Sequence, residues 1–360
     1  MSPSYPLIPG PPFLIDHLLG LLFVVHVVFM NFVIAAPPLM VWYLWTRQQD
    51  GKQFADWLAA ALPVNFSFAI NFGVASLLFT QVLFAERFFT ANIILGKVWL
   101  AVILLLLLGF YAAYAANRIL RKFNRPELAA GGVAVLVTGL VWTIAAIMIA
   151  NYYLETDSAH WHELLGHWQG ILRTKTFTPR AMHFLTGAFA VTGFWMVWIS
   201  WWRERRGVAE ELYKPFRQQG IFLAAGATGV QISVGIWFLI WQPIEVWDKL
   251  FSGSFPATIW ITGVTTGLLM LGSLIVAAVF PDRKFWQKVS TALLGWTLFG
   301  MAAGRELVRQ TAFGPDFHLQ RLPYSTQVQP MFFFFLLLLA GMGVLLWILL
   351  LILGKAKTPK

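Results

Sequence analysis

FLIDHLLGLLFVVHVVFMNFVIAAPPLMVWYLWT, residues 13–46, is a nearly unbroken apolar run of 34 residues. A helix needs about 20 mostly apolar residues to cross the hydrocarbon core of a bilayer. This run exceeds that length, and eight more follow at about 55–88, 92–120, 127–153, 179–203, 214–242, 256–281, 284–311 and 329–354. In lipid every backbone N–H and C=O must be satisfied within the protein, which leaves helices and closed barrels. The runs lack the strict alternation of a barrel strand. The expected class is therefore an all-α integral membrane protein of about nine transmembrane helices, read as a single membrane domain over residues 1–360.

Composition agrees. Of the 360 residues, 58% are hydrophobic and 12% charged, with a mean hydropathy of +0.68. A soluble chain carries roughly twice that charged fraction. The net charge of +10 comes from Lys and Arg placed between the apolar runs, so nucleic acid is excluded as a partner and a lipid bilayer expected. Without cysteine the chain has no disulfide, no Cys-ligated cluster and no covalently attached haem. The start, MSPSYPLIPGPPFLIDH, has no basic n-region and no A-x-A site, so the first span is expected to be retained.

Seventeen of the 26 basic residues fall in 47–54, 118–126, 203–217, 282–288 and the tail after 354. The positive-inside rule then sets the C-terminus in the cytoplasm and the N-terminus outside. The expected location is the bacterial inner membrane, crossed many times. The longer outer segments, about 154–178 and 312–328, are the surfaces open to a periplasmic partner.

Ionisable groups within spans are expensive and mark function. Here they are His17 and His26 on the first span, Lys97 on the third, His183 opening the fifth, and Arg305, Glu306 and Arg309 closing the eighth. His17 and His26, nine residues apart, point to opposite sides of a helix and cannot share one iron. Neutral imidazole is a haem ligand when its second nitrogen is fixed by a hydrogen bond. Each histidine is therefore either such a ligand or a group hydrogen-bonded to a neighbouring helix. Glu306 and Arg309 share a face. They form either a structural ion pair or a carboxylate ligand beside a guanidinium that holds a haem propionate. HWHELLGH (160–167) imitates a zinc-protease motif, but its histidines are five apart rather than four. It is expected to be a solvated outer helix. Asn65, Ser67, Asn71 and Gln81 give the second span a polar stripe, suited to a cofactor pocket or to a neighbouring helix.

Five segments, in order, carry a resemblance: VHVVFMNFVIA, FAINFGVASL, AAIMIANYYLE, PRAMHFLTGAFAVTG and GRELVRQ. Together they resemble the large subunit (subunit I) of cytochrome bd quinol oxidases over nearly the whole chain. The resemblance implies nine helices, b-type haem in one to three copies, and quinone. It implies His26, His183 and Glu306 as haem-iron ligands and Arg309 as their support, with His17 a further haem-contact candidate.

The sequence departs from that family in three places. The third span reads LGKVWLAVILLLLL, with Lys97 where the first of two proton-delivering glutamates is expected. WITGVTTG lacks the family's haem-ligating methionine near Ile261 to Gly263. The quinol-binding loop shrinks to QPIEVWDKLFSGSF. Three readings follow. The first is a haem b electron-transfer subunit linking quinone or quinol to a periplasmic c-type cytochrome, assembled with other membrane subunits. The others are a quinol oxidase reducing oxygen and a haem-free anchor subunit.

Overall fold

The computed structural model describes residues 7–46, 50–123 and 126–355, with the side chains of 330, 342, 345, 346 and 348–355 left out. Arg47, Arg125, Lys357 and Lys360 of the basic set lie outside the described residues. The helices are α1 (Pro12–Trp45), α2 (Gly51–Leu83), α3 (Ala85–Leu95), α4 (Lys97–Lys122), α5 (Glu127–Thr156), α6 (Trp161–Leu164), α7 (Phe177–Arg205), α8 (Glu210–Ile240), α9 (Ile244–Leu250), α10 (Phe255–Val279), α11 (Lys284–Ala312) and α12 (Val328–Lys355). Among the described residues there is no named strand, only an isolated bridge between Ile8 and Tyr324. Each expected span is occupied by one long helix. Seven of them, α1, α2, α4, α5, α7, α8 and α10, are apolar enough to cross a membrane by length and composition.

The expected second and third spans differ from what is observed. The second stops at Leu83 rather than 88, and the third begins at Lys97 rather than 92; the short α3 lies between them. The chain breaks twice here, at Phe84 between α2 and α3 and at Gly96 between α3 and α4. Gly96 takes φ +56°, a region open to glycine and costly for other residues. Lys97 consequently sits exposed at the first turn of α4. HWHELLGH is also not one helix: α6 ends at Leu164, and Gly166 turns the chain at φ +82°.

Helices α1/α2, α4/α5, α7/α8 and α10/α11 pack as hairpins, and α1 runs between them, touching α2, α5, α7 and α11. Pro37 and Pro38 lie inside α1. Pro38 has no N–H for the Ile34 carbonyl, and the Trp142 indole of α5 donates to that oxygen at 3.1 Å. The bulk of the core lies where α1, α2, α4, α5, α7 and α8 meet, around Phe32, Phe54, Trp57 and Phe216. α12 touches the rest through Phe334 on Phe79, among other contacts.

The basic loops gather at one end of the bundle. Lys52 pairs with Glu127, Arg121 with Asp56, Lys214 with Asp282 and Lys284 with Glu204, at 3.8, 3.7, 3.0 and 2.6 Å. Arg203 from the end of α7 lies over the Trp57 ring at the start of α2, joining the two halves of that end.

WITGVTTG is a packing seam. A Cβ on Gly263 would lie against the backbone of Gly300 across the α10/α11 crossing, and a Cβ on Gly300 against that of Gly263. Small residues let helices approach this closely in membranes. Gly263→Val is expected to drive α10 and α11 apart and lower the thermal unfolding midpoint of the purified protein clearly. Gly272→Val on the same helix, where a Cβ meets nothing within 4 Å, should leave it within experimental error.

Candidate functional site: two histidine cavities

Two cavities lie side by side within the bundle. The first, about 290 Å³, is enclosed by α1, α7, α8, α10 and α11 and contains His183. The second, about 420 Å³, is enclosed by α1, α2, α4, α5, α7 and α11 and contains His26. Both are lined mainly by apolar side chains with a few convergent polar groups, the usual constitution of a cofactor site.

His26 is set by α2. Its Nδ1–H donates to the Ala69 carbonyl at 2.8 Å. A carbonyl can only accept, so that bond fixes the tautomer and leaves the lone pair on Nε2. The approach requires Gly73: a Cβ there would lie 2.7 Å from His26 Cε1 and 2.9 Å from Nδ1. The same cavity holds Asn151, hydrogen-bonded to Asn92 at 2.6 Å, and the buried Glu155. Its α4 wall, Trp99, Leu100, Val102, Ile103 and Leu106, contains no carboxylate.

His183 is set by α8. Gln231 Nε2 contacts His183 Nε2 at 3.2 Å, and Gln231 Oε1 accepts from the Thr186 hydroxyl at 3.1 Å. Glycines again make room: a Cβ on Gly235 would lie 3.2 Å from the imidazole, and one on Gly187 would lie 2.9 Å from Gln231. His183 Nδ1, Arg180 Nε, Asn31 Oδ1 and Thr228 Oγ1 are buried without hydrogen-bond partners among the described residues, and all four residues line this cavity. Met270 and Met301 also line it.

Arg309 is fully buried between two carboxylates, 3.7 Å from Glu155 and 3.3 Å from Glu306. It lines the His26 cavity. Glu306 lines neither cavity; Gln310 also donates to it at 3.3 Å. His17 lines neither: it is exposed, and its Nδ1 is 2.8 Å from the Phe13 carbonyl of its own helix. The polar stripe of α2 turns inward on itself, as Asn65, Ser67 and Asn71 each donate to a carbonyl four residues back. Among the described residues no three His, Asp or Glu converge as a metal-ion site. His160 pairs instead with Asp157 at 2.6 Å, a bond that raises its pKa above the ordinary imidazole value.

Reading the sequence alone missed Glu155, Arg180 and Gln231. Arg180 carried a signal, since it lies three residues before His183 and so shares its helix face. Glu155 sits at the last turn of α5, where hydropathy places the start of an outer segment. Gln231 carried none.

No known family's sequence model matches the chain, and no curated protein matches it. Among solved structures it is similar to the bd oxidase from Geobacillus thermodenitrificans, with a TM-score of 0.68 and 12% identity. The match covers 98% of this chain and 100% of that one. The fold is bd-oxidase-like. Identity at this level speaks for the fold alone, and the chain is accordingly a multi-pass membrane protein of that architecture.

Proposed function

We propose that this chain is a b-type haem electron-transfer subunit of a respiratory complex. It would move electrons between quinone or quinol and a periplasmic redox partner such as a c-type cytochrome. The observation that carries this reading is His26: a hydrogen bond fixes its tautomer, an adjacent glycine makes room for its ring, and it stands on the wall of a cavity. That is how a protein presents imidazole to iron.

The residues present fit haem in both cavities. The walls are apolar, an imidazole stands in each, and buried guanidiniums are available for propionates. His26 would hold iron in one cavity and His183 in the other, with Arg309 and Arg180 beside them. Bound there, haem supplies one-electron chemistry. The protein supplies ligands, burial and charge. Met270 and Met301, soft thioether donors on the same cavity wall, would be the further candidates to hold the iron there. Glu306 stays a ligand candidate on the resemblance, although the ion pair with Arg309 occupies it. Nine crossings, an outside N-terminus, a cytoplasmic C-terminus and a bacterial inner membrane complete the proposal, along with partner membrane subunits.

One observation favours the oxidase alternative. Glu155 gives the His26 cavity a buried carboxylate that α4 does not supply. Oxygen uptake with a quinol donor separates the two readings; reduction by quinol without uptake supports the transfer subunit.

A pyridine haemochrome assay on the purified protein tests the haem. His183→Ala is expected to remove one haem per chain; an unchanged reduced spectrum would strike His183 from the ligand set. A wild-type protein with no haem would instead leave the anchor-subunit reading standing.

A further inference from the structure

The two cavities share a wall. Phe23, Arg180, Phe184 and Arg305 line both. Arg305 is the residue of interest. Its guanidinium lies 4.4 Å from the Phe23 ring centroid and 4.7 Å from that of Tyr152. Among the described residues no carboxylate lies within ion-pair distance of it and no hydrogen-bond acceptor is assigned to its side chain, whereas Arg309, one turn on, contacts both Glu155 and Glu306. Tyr152 donates to the Arg305 main-chain carbonyl at 3.1 Å, which fixes this turn of α11 against α5.

A guanidinium in apolar surroundings is costly unless an anion meets it. Glu155 and Glu306 act on Arg305 from beyond ion-pair distance, and both are already in contact with Arg309, so Arg305 has no close carboxylate partner of its own among the described residues. An anionic group bound in either cavity would supply the close partner that these shared carboxylates do not. Because Arg305 opens on both, one cation serves two sites.

We propose that Arg305 is a positioning residue shared by two anionic cofactor sites, holding a carboxylate of the group bound in each cavity and setting the reduction potentials of both. The proposal rests on the haem reading above and deepens it. A nearby positive charge favours the reduced form of a haem, which carries one positive charge fewer. Removing that charge therefore disfavours reduction on both sides of the wall together. A residue with a merely structural role would disturb the fold or one site, and would not move two potentials in one direction.

The test is a potentiometric titration of the purified, haem-loaded protein, with haem counted by pyridine haemochrome. In Arg305→Met both haems are expected to remain, and both reduction equilibria to shift about tenfold towards the oxidised form, about 59 mV for a one-electron couple. Arg305→Lys, which keeps the charge on a shorter reach, should move both in the same direction by less than Arg305→Met does. It serves as the readout if the methionine variant fails to fold. A shift in one potential alone, or in neither, would overturn the shared role while leaving haem binding intact. Fewer than two haems in the wild-type protein would overturn the haem reading of the two cavities and this proposal with it.

Discussion

Gly73→Ala is expected to abolish or alter one haem site without weakening the bundle, and His26→Ala to remove the same site outright. The argument is local. The imidazole of His26 occupies the space a side chain at residue 73 would need, with Cε1 2.7 Å from the position of a Cβ. Real Cβ contacts do not come that close, so the ring must swing away from α2. It then loses the 2.8 Å bond to Ala69, worth about 0.5–1.5 kcal/mol. It also loses the constraint that keeps its lone pair on Nε2. Alanine is a better helix former than glycine by about 1 kcal/mol. The substitution therefore works against the site and for the helix. Haem content should fall, or the reduced spectrum of one haem should change, while the unfolding midpoint of the haem-free protein stays or rises. Gly235→Ala at the other cavity is the milder counterpart, since its Cβ would meet His183 at 3.2 Å. If His26→Ala and Gly73→Ala both keep the wild-type haem count and spectrum, His26 is not a ligand.

Each expected apolar run overlaps one long helix, with ends that differ by up to five residues, at α2 and α4. Hydropathy failed between residues 84 and 96. There Glu86, Arg87, Thr90 and Asn92 interrupt the apolar run, the chain breaks first at Phe84, and Gly96 at φ +56° then separates α3 from α4. α11 shows the reverse. Its buried face carries Gln287, Ser290 and Arg309, so it falls short as an apolar span by composition. The expected span at 284–311 nonetheless coincides with the helix.

The site was legible where one helix held the information. His26 and His183 stood out as histidines in apolar runs, and the structure sets each in a cavity. The rest is tertiary. Nothing near Glu155 in sequence says that Arg309, 154 residues later, lies against it, or that Arg305 faces two cavities. WITGVTTG is instructive: where the resembled family has a ligand, this chain has Gly263 packed on Gly300, and its cavity-lining methionines are Met270 and Met301.

Arg309→Met should be among the most destabilising single changes in the chain, by about 3–5 kcal/mol, because it strands a buried carboxylate. Glu155 is 3% exposed and its Oε2 has no hydrogen-bond partner among the described residues, and Arg309, at 3.7 Å, is the cation in ion-pair contact with it. Glu306 is less trapped, with its side chain 17% exposed. Burial decides the size of the effect. The Lys52–Glu127 pair at the basic end has a similar 3.8 Å separation but side chains 51% and 42% exposed, and breaking it should cost no more than about 1 kcal/mol. The double variant Glu155→Gln/Arg309→Met removes both charges, and its cost should fall well below that of Arg309→Met alone. The two positions should therefore couple by more than about 1 kcal/mol in a double-mutant cycle read by thermal unfolding. Additive losses would mean that Arg309 acts through packing on Phe84 and Tyr152, whose ring centroids lie 5.0 and 5.4 Å from its guanidinium. The cycle also separates fold from site. The double variant restores a neutral, folded wall to the His26 cavity while withholding the cation that would meet a propionate there. Its haem affinity should stay low even as its stability recovers.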